Sequence, residues 1–286
     1  HRGQNWYAEL LWSQYPTLLS LLTDEYQTRM VQEAYHDAHT NAPQWPAQYC
    51  WPEGFMRRWH FHAVTNQPLQ VVVTPTLVQF LAGDGSTSPD HAINHERFAE
   101  RLEPLDVTAL DASSAADQNG FAVRTETAQR YGLRTLSDLA EVSRELAFGG
   151  PPECTRRPFC LPGLERSYGI AFGQVFTNLD AGGPRTVSAL AEGTVDVALL
   201  FTSDGAIDLN DFVLLEDDLH LQPAENVTPV IRTGVLDRFG PSLADSVNAV
   251  SALLSTGELR TLNAEVARGA TPEQIASRWL ASNGLD

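Results

Sequence analysis

The sequence contains no lysine at all, only three cysteines and two methionines, and no run of eighteen apolar residues. Each shortage excludes something. Without about twenty consecutive apolar residues the chain offers no candidate for a helix that crosses a bilayer. All 19 basic residues are arginines, set against 36 acidic ones, so the formal net charge is -17. Such a surface repels a phosphate backbone, and nucleic acid is not expected as a partner. Solubility accounts for that charge, with attraction of a cationic ligand as a second reading. The first residues, "HRGQNWYAEL", lack the basic, apolar and small-residue zones of a signal peptide. An export signal, with or without a lipid anchor, is then expected to have been removed upstream of His1.

Enzyme signatures are also missing. There is no GXSXG elbow, no GXXXXGK phosphate loop, no HEXXH and no GXGXXG. "HERF" holds the first half of a zinc-protease motif without the second histidine, and "DGAIDLNDF" lacks the ligand alternation of a calcium loop. Acid/base chemistry would have to rest on Asp117, Asp204 and Glu153 with no histidine or cysteine placed beside them. The expectation is a protein that is not an enzyme and holds no cofactor and no metal.

What is present reads as alternating strands and helices. At 286 residues, 43% of them hydrophobic, the chain has room for two compact domains or one large one. Met30, Val31, Ala34, Tyr35 and Ala38 have helical spacing within 23–42, after the strand-like "PTLLSLL". The aromatic and proline-rich stretch 43–62 shows no period. His60 and His62 in it are either structural or two ligands short of a third, and Cys50 reads as a buried thiol. "LQVVVTPTLVQFLAG" predicts a strand, a turn and a short helix, and "HERFAERLEPLDVTALD" a helix then a strand. "NGFAVR" (119–124) predicts a strand, followed by a helical region with a threonine cap and a break near Gly132, then the strand "LAFGG". Gly182, Gly183 and Pro184 start a helix that Gly193 stops, and "TVDVALLF" is apolar throughout, as in a parallel sheet. "DFVLLEDD" and "NVTPVIR" are further strands, and the last seventy residues read as capped amphipathic helices. The alternation predicts α/β architecture with parallel sheets, as one long sheet or as two lobes.

Between strand and helix lies "GGPPECTRRPFCLPGL" (149–164), too irregular for either. Cys154 and Cys160 are close enough in sequence to pair if the loop turns back at Pro158, and closing so small a loop would contribute roughly 2 kcal/mol. A metal site is the alternative, but CX5C has no second cysteine or histidine pair nearby. A disulfide would imply an oxidising compartment. Phe121, Phe159 and Phe201 fall at strand ends among Gln118, Asn119, Arg156, Thr202 and Asp204. They are either core residues or one wall of a pocket at the carboxyl edge of a sheet.

Four long stretches carry a resemblance: "DASSAADQNGFAVRTETAQRYGLRTLSDLA", "GGPPECTRRPFCLPGLERSYGIAF", "LDAGGPRTVSALAEGTVDVALLFTSDGAI" and "FVLLEDDLHLQPAENVTPVIR". In that order, from about 104 onward, the chain resembles the glycine betaine, choline and carnitine substrate-binding proteins of osmoprotectant ABC importers. The resemblance implies a two-lobed periplasmic-binding-protein-like fold (type II) with two hinge crossings and a ligand cleft between the lobes. Projected onto this chain, lobe one is 1–114 plus 222–286 and lobe two is 115–221, with crossings near 112–117 and 218–226. It also implies an extracytoplasmic monomer that captures a small solute, a quaternary amine above all, and delivers it to a membrane permease.

In such a site the ammonium sits among aromatic faces, each worth about 0.5 to 2 kcal/mol. By the resemblance, Phe121 and Phe201 stand where the family often has cage tyrosines. Arg156 or Arg157 lies in a loop where an arginine can face the cleft, and Asn119, Thr202 and Asn226 occupy polar cleft or hinge positions, with Gln118 beside them from the strand-end reading. The match weakens in lobe one. There "VVVTPT" replaces "PEYTG", putting Val73 at the tyrosine and leaving Thr74 in place. Glu25 and Tyr26 of "LLTDEYQ" face the cleft, and Phe55 and Trp59, with Trp51, are replacement walls or lobe-one core. An altered cage leaves a second ligand class open, a bulkier or uncharged aromatic metabolite. An enzyme on the same fold is the remote alternative.

Overall fold

The computed structural model describes residues 69–72 and 87–285. The predicted strand "PTLLSLL", the helix over 23–42, Cys50 and the histidines of "HFH" lie outside the described residues.

The smaller sheet is built from β1 (Leu69–Val72), β2 (Val107–Ala109) and a late strand that lies between them. Helix α1 (His91–Leu102) precedes β2, and it begins where Asp90 Oδ1 accepts the N–H groups of Ala92 and Ile93 at 2.9 and 3.1 Å. Those are donors that the first helical turn leaves without partners. Phe98 and Leu102 then pack under the sheet against Val107 and Val230.

The larger sheet begins with β3 (Asn119–Val123), followed by α2 (Thr125–Tyr131) and α3 (Leu136–Val142). Gly132 ends α2 with φ 70°, a left-handed conformation that a Cβ disfavours, so the expected break is there. Thr125 is not the cap that was expected. It is the first helical residue, and its hydroxyl donates to the carbonyl of Asp211 at 2.5 Å. The capping threonine is Thr135, which exchanges side-chain and backbone hydrogen bonds with Asp138 at the start of α3.

The chain continues through β4 (Phe148–Gly150), α4 (Leu161–Tyr168), β5 (Thr177–Asn178), α5 (Pro184–Ala191), β6 (Val197–Phe201), α6 (Ala206–Leu209) and β7 (Val213–Leu215). It returns to the smaller sheet in β8 (Thr228–Arg232). The described chain closes with α7 (Thr233–Phe239), α8 (Pro241–Leu253), α9 (Thr256–Ala267) and α10 (Pro272–Ser282). Ser255 and Thr271 cap the last two helices as expected, whereas α8, also expected to be capped, starts after Gly240 with no side-chain cap.

Sheet direction departs from the expectation. In the order β1-β8-β2 every pair is antiparallel. In the order β5-β4-β6-β3-β7, β4 is parallel to β5 and β6, while β3 runs against both β6 and β7. The reason is geometric. The chain enters this sheet at the end where β6 finishes, with Asn119 paired to Phe201, so β3 can only run back along its neighbour. The apolar run "TVDVALLF" forms β6, which is parallel to β4 as expected but antiparallel to β3 on its other side.

Alternation along β3 and β6 splits the core into two layers. Phe121, Val123, Val197 and Leu199 join Phe148, Leu164 and Leu215 on one side, and Ala122, Ala198 and Leu200 join Leu190 and Ile207 on the other. Each large apolar side chain buried this way contributes roughly 2 kcal/mol.

Candidate functional site

Two chain segments connect the sheets, and they run side by side. The N–H of Ser113 donates to Val227 O at 2.9 Å, that of Val227 to Ala115 O at 2.8 Å, and that of Asp117 to Glu225 O at 3.0 Å. Ala116 and Asn226 form an antiparallel bridge, and Asn226 Nδ2 donates to Ser113 O at 2.9 Å. Thr202 Oγ1 donates to Ala116 O at 2.8 Å and accepts from the N–H of Gln118 at 3.0 Å. Gln118 Nε2 reaches Pro223 O at 2.7 Å. Three predicted polar residues, Gln118, Thr202 and Asn226, are thus gathered at the paired segments, each with a side-chain group bonded to their backbone.

The carboxyl ends of β4, β5 and β6 all point to the same edge, because the three strands are parallel. Three loops therefore leave from that edge: 151–160, 179–183 and 202–205. The amino end of β3 joins them there, so Asn119 stands beside Phe201. Ligands of open α/β sheets bind at such an edge.

The first loop is the stapled one. Cys154 and Cys160 are both buried and joined by a disulfide with Cα atoms 5.2 Å apart. Inside it a short 3-10 turn covers Pro152–Thr155, and Arg157 pairs with Glu153 at 3.5 Å. Arg156 is exposed. Phe159 is half-buried against the core, and its carbonyl accepts from Gln222 Nε2 at 2.9 Å. Gln222 Oε1 accepts in turn from Asn119 Nδ2 at 3.0 Å.

The two cage candidates differ. Phe121 is 1% exposed, and its ring lies 6.0 Å from that of Phe148 in the core, behind the edge. Phe201 is only partly buried. Its ring covers Gly182, so close that a Cβ there would lie 3.1 Å from it, with Asp204 Oδ2 at 3.7 Å. At φ 71° Gly182 adopts a conformation suited to glycine, which lets the second loop close over the ring.

Asp204 is followed by Asp117 and Ser203 in the electrostatics of this edge. Burial pushes the Asp204 carboxyl above its ordinary range, and the nearby charge of Asp117 adds to that, against a lowering bond from the N–H of Ala206. Ser203 Oγ donates to Asp117 Oδ1 at 2.5 Å. The edge is thus acidic beside an aromatic face, an arrangement that suits a cation.

His95 serves structure: its Nε2 lies 2.8 Å from Leu110 O. Among the described residues no cluster of three His, Cys, Asp or Glu side chains could hold a metal ion. Glu25, Tyr26, Phe55, Trp59 and Thr74 lie outside the described residues. Gln222, which bridges the stapled loop and Asn119, was not singled out from the sequence. It lies in "FVLLEDDLHLQPAENVTPVIR", one of the stretches that carry the resemblance, and within the expected crossing 218–226, but nothing in the sequence marked this one residue.

Residues 56–282 match the family model described as the substrate binding domain of ABC-type glycine betaine transport systems. The chain is 30% identical over 204 residues to the glycine betaine-binding protein YehZ of Escherichia coli (strain K12), a match covering 67% of each. It is 29% identical over 188 residues to the carnitine transport binding protein OpuCC of Listeria monocytogenes, covering 65% of this chain and 59% of that one. The chain thus spans 59% of the length of that relative. Its fold superposes on a crystal structure described as a glycine betaine/carnitine/choline ABC transporter with TM-score 0.72 and 25% identity, over 80% of this chain and 84% of the other. That fold is the type II periplasmic-binding-protein fold.

Proposed function

The chain belongs to the family of substrate-binding domains of ABC-type glycine betaine transport systems, and from that premise we propose that it is the solute-binding component of an ABC importer. Proteins of this family work outside the cytoplasm. The solute is a quaternary amine or a related compatible solute, held between lobes whose closure presents the loaded form to a membrane permease. The chain acts as a monomer and turns nothing over.

We read the paired segments around 113–117 and 225–227 as the hinge crossings. Lobe one is then 1–114 with 222–286, and lobe two is 115–221. The observation that carries the reading is the sheet edge where the partly buried ring of Phe201 and the acidic Asp204 both lie against Gly182, next to Asn119. Phe201 offers its π face to the ammonium, a contact worth about 0.5 to 2 kcal/mol. Asp204 supplies negative charge at the same edge. Arg156, exposed on the stapled loop, meets the carboxylate of a solute that has one. Gln118, Asn119, Thr202 and Asn226 line the crossings, and Phe121 supports the wall from behind. Glu25, Tyr26, Phe55, Trp59 and Thr74 are assigned to the lobe-one side.

Isothermal titration of the purified protein with glycine betaine, choline, carnitine and ergothioneine tests this. Saturable heat from at least one is the expected result. Heat from none of the four would sink the assignment.

A further inference from the structure

Gln222 lies where three segments meet, and both ends of its amide are engaged. Its Nε2 donates to Phe159 O at 2.9 Å, and its Oε1 accepts from Asn119 Nδ2 at 3.0 Å. Its backbone N–H donates to Asp217 Oδ2 at 2.7 Å. The residue is 4% exposed, so an arm left without a partner would find no water to replace it.

The two arms lead to different places. Phe159 is the residue before Cys160, inside the loop closed by the disulfide. Asn119 is the first residue of β3, opposite Phe201. A continuous path therefore runs from the disulfide through the Phe159 carbonyl and the Gln222 amide to the side chain of Asn119.

The amide is itself held from behind. Asp217 accepts the N–H groups of both Leu221 and Gln222, and the hydroxyl of Tyr168 donates to it at 2.5 Å. Pro223, the next residue, is tied to Gln118 through its carbonyl. With its backbone pinned on both sides, a shift of the Phe159 carbonyl reaches Asn119 through the side chain of Gln222. A primary amide is suited to this, since one end donates while the other accepts in a fixed plane.

We propose that Gln222 is a positioning residue that transmits the placement of the stapled rim loop to Asn119 and thereby to the solute site. Its consequence for binding rests on the solute-binding reading above. The coupling of the disulfide to Asn119 exists without a solute and is tested without one.

Gln222→Glu as a carboxylate keeps the oxygen that accepts from Asn119 and has no proton for Phe159 O, whereas a protonated Glu would donate there, so the comparison is made at alkaline pH, where one arm only is cut. The side-chain amide of Asn119 is followed by NMR in the solute-free protein, assigned by its loss in Asn119→Asp. With Gln222 present, Cys154→Ser with Cys160→Ser should shift the Asn119 Nδ2 signals and speed their exchange with water about tenfold. In Gln222→Glu the same pair of serines should leave the signals in place. Equal displacement in both backgrounds, or none with Gln222 present, overturns the proposal. Should Gln222→Glu fail to fold, Gln222→Met, which removes both arms at similar length, carries the same comparison.

Titration with glycine betaine adds the functional arm. Gln222→Glu and the loss of the disulfide should each weaken binding about fivefold, and together no more than either alone. Effects that multiply overturn the proposal. A wild-type protein that takes no solute would sink the importer reading, while the NMR comparison still decides the coupling.

Discussion

Asn119 and Phe201 stand opposite one another in the antiparallel register of β3 and β6, and two residues further along the same strands Phe121 faces Leu199. The first pair lies at the edge of the sheet and the second within its core. Two phenylalanines that a sequence alignment treats alike therefore have different surroundings, and their removal has different consequences.

Phe121→Ala leaves a cavity next to Phe148 and should cost about 3 to 5 kcal/mol of stability. Phe201→Ala removes a partly exposed ring and should cost much less, while weakening solute binding. Chemical denaturation of both variants beside a binding titration separates the two effects. A Phe201→Ala protein as destabilised as Phe121→Ala would place both rings in the core.

Tyr168 anchors the return segment, donating to Asp217 and accepting the N–H of Leu219 at 2.7 Å. Burial and the hydrogen bond to Asp217 push its phenol above the ordinary value of 10.0. Because the folded value is raised, its contribution to stability is complete below pH 10 and is lost as the pH climbs through the folded value. Tyr168→Phe should cost about 1 to 3 kcal/mol at neutral pH. In a spectrophotometric alkaline titration of the folded protein, the variant should lose one phenol that ionises late, above the ordinary value. A variant whose titration curve keeps that late step would refute the assignment.

Asp204 has the opposite consequence at neutral pH, because its raised carboxyl must be ionised there at a cost. The folded state holds this proton more tightly than the unfolded state, so the contribution of Asp204 to stability is greatest below the ordinary value of 3.8 and is lost as the pH rises through the folded value. Asp204→Asn keeps an oxygen that can accept from the N–H of Ala206 and removes the charge. Its melting temperature should equal or exceed that of the wild type at pH 7 and lose that advantage near pH 3.5. A constant difference between the two proteins across that range would show that the charge is not the cause.

Much of the described secondary structure was legible because its determinants are local. Gly132 breaks the helical run, Gly193 follows α5, and Ser255 and Thr271 cap the last helices through side chains within three residues of the bonds they make. The pairing of Cys154 with Cys160 was legible for the same reason, since only six positions separate them. Thr125 shows where local reading stops. Its hydroxyl bonds to Asp211, 86 residues away, and the capping role passes to Thr135.

The candidate site was legible as a set of residues but not as an arrangement. Gln118, Asn119 and Thr202 were marked by their place at strand ends, and the structure gathers them around the paired connecting segments. Gln222 had no such mark, because its role depends on Phe159 and Asn119, 63 and 103 positions away.

By itself the sequence determined the charge, the absence of a membrane-spanning run, the positions of most strands and helices among the described residues, and through four long stretches the family. These follow from composition and from interactions across a few residues. Only the tertiary structure decided that β3 runs against its neighbours, that Phe121 is fully covered while Phe201 is only partly so, and that one amide joins the stapled loop to Asn119. Strand direction, burial and long-range hydrogen bonds are set by which segments meet when the chain closes, and an apolar or polar residue looks the same in sequence whichever neighbours it finds.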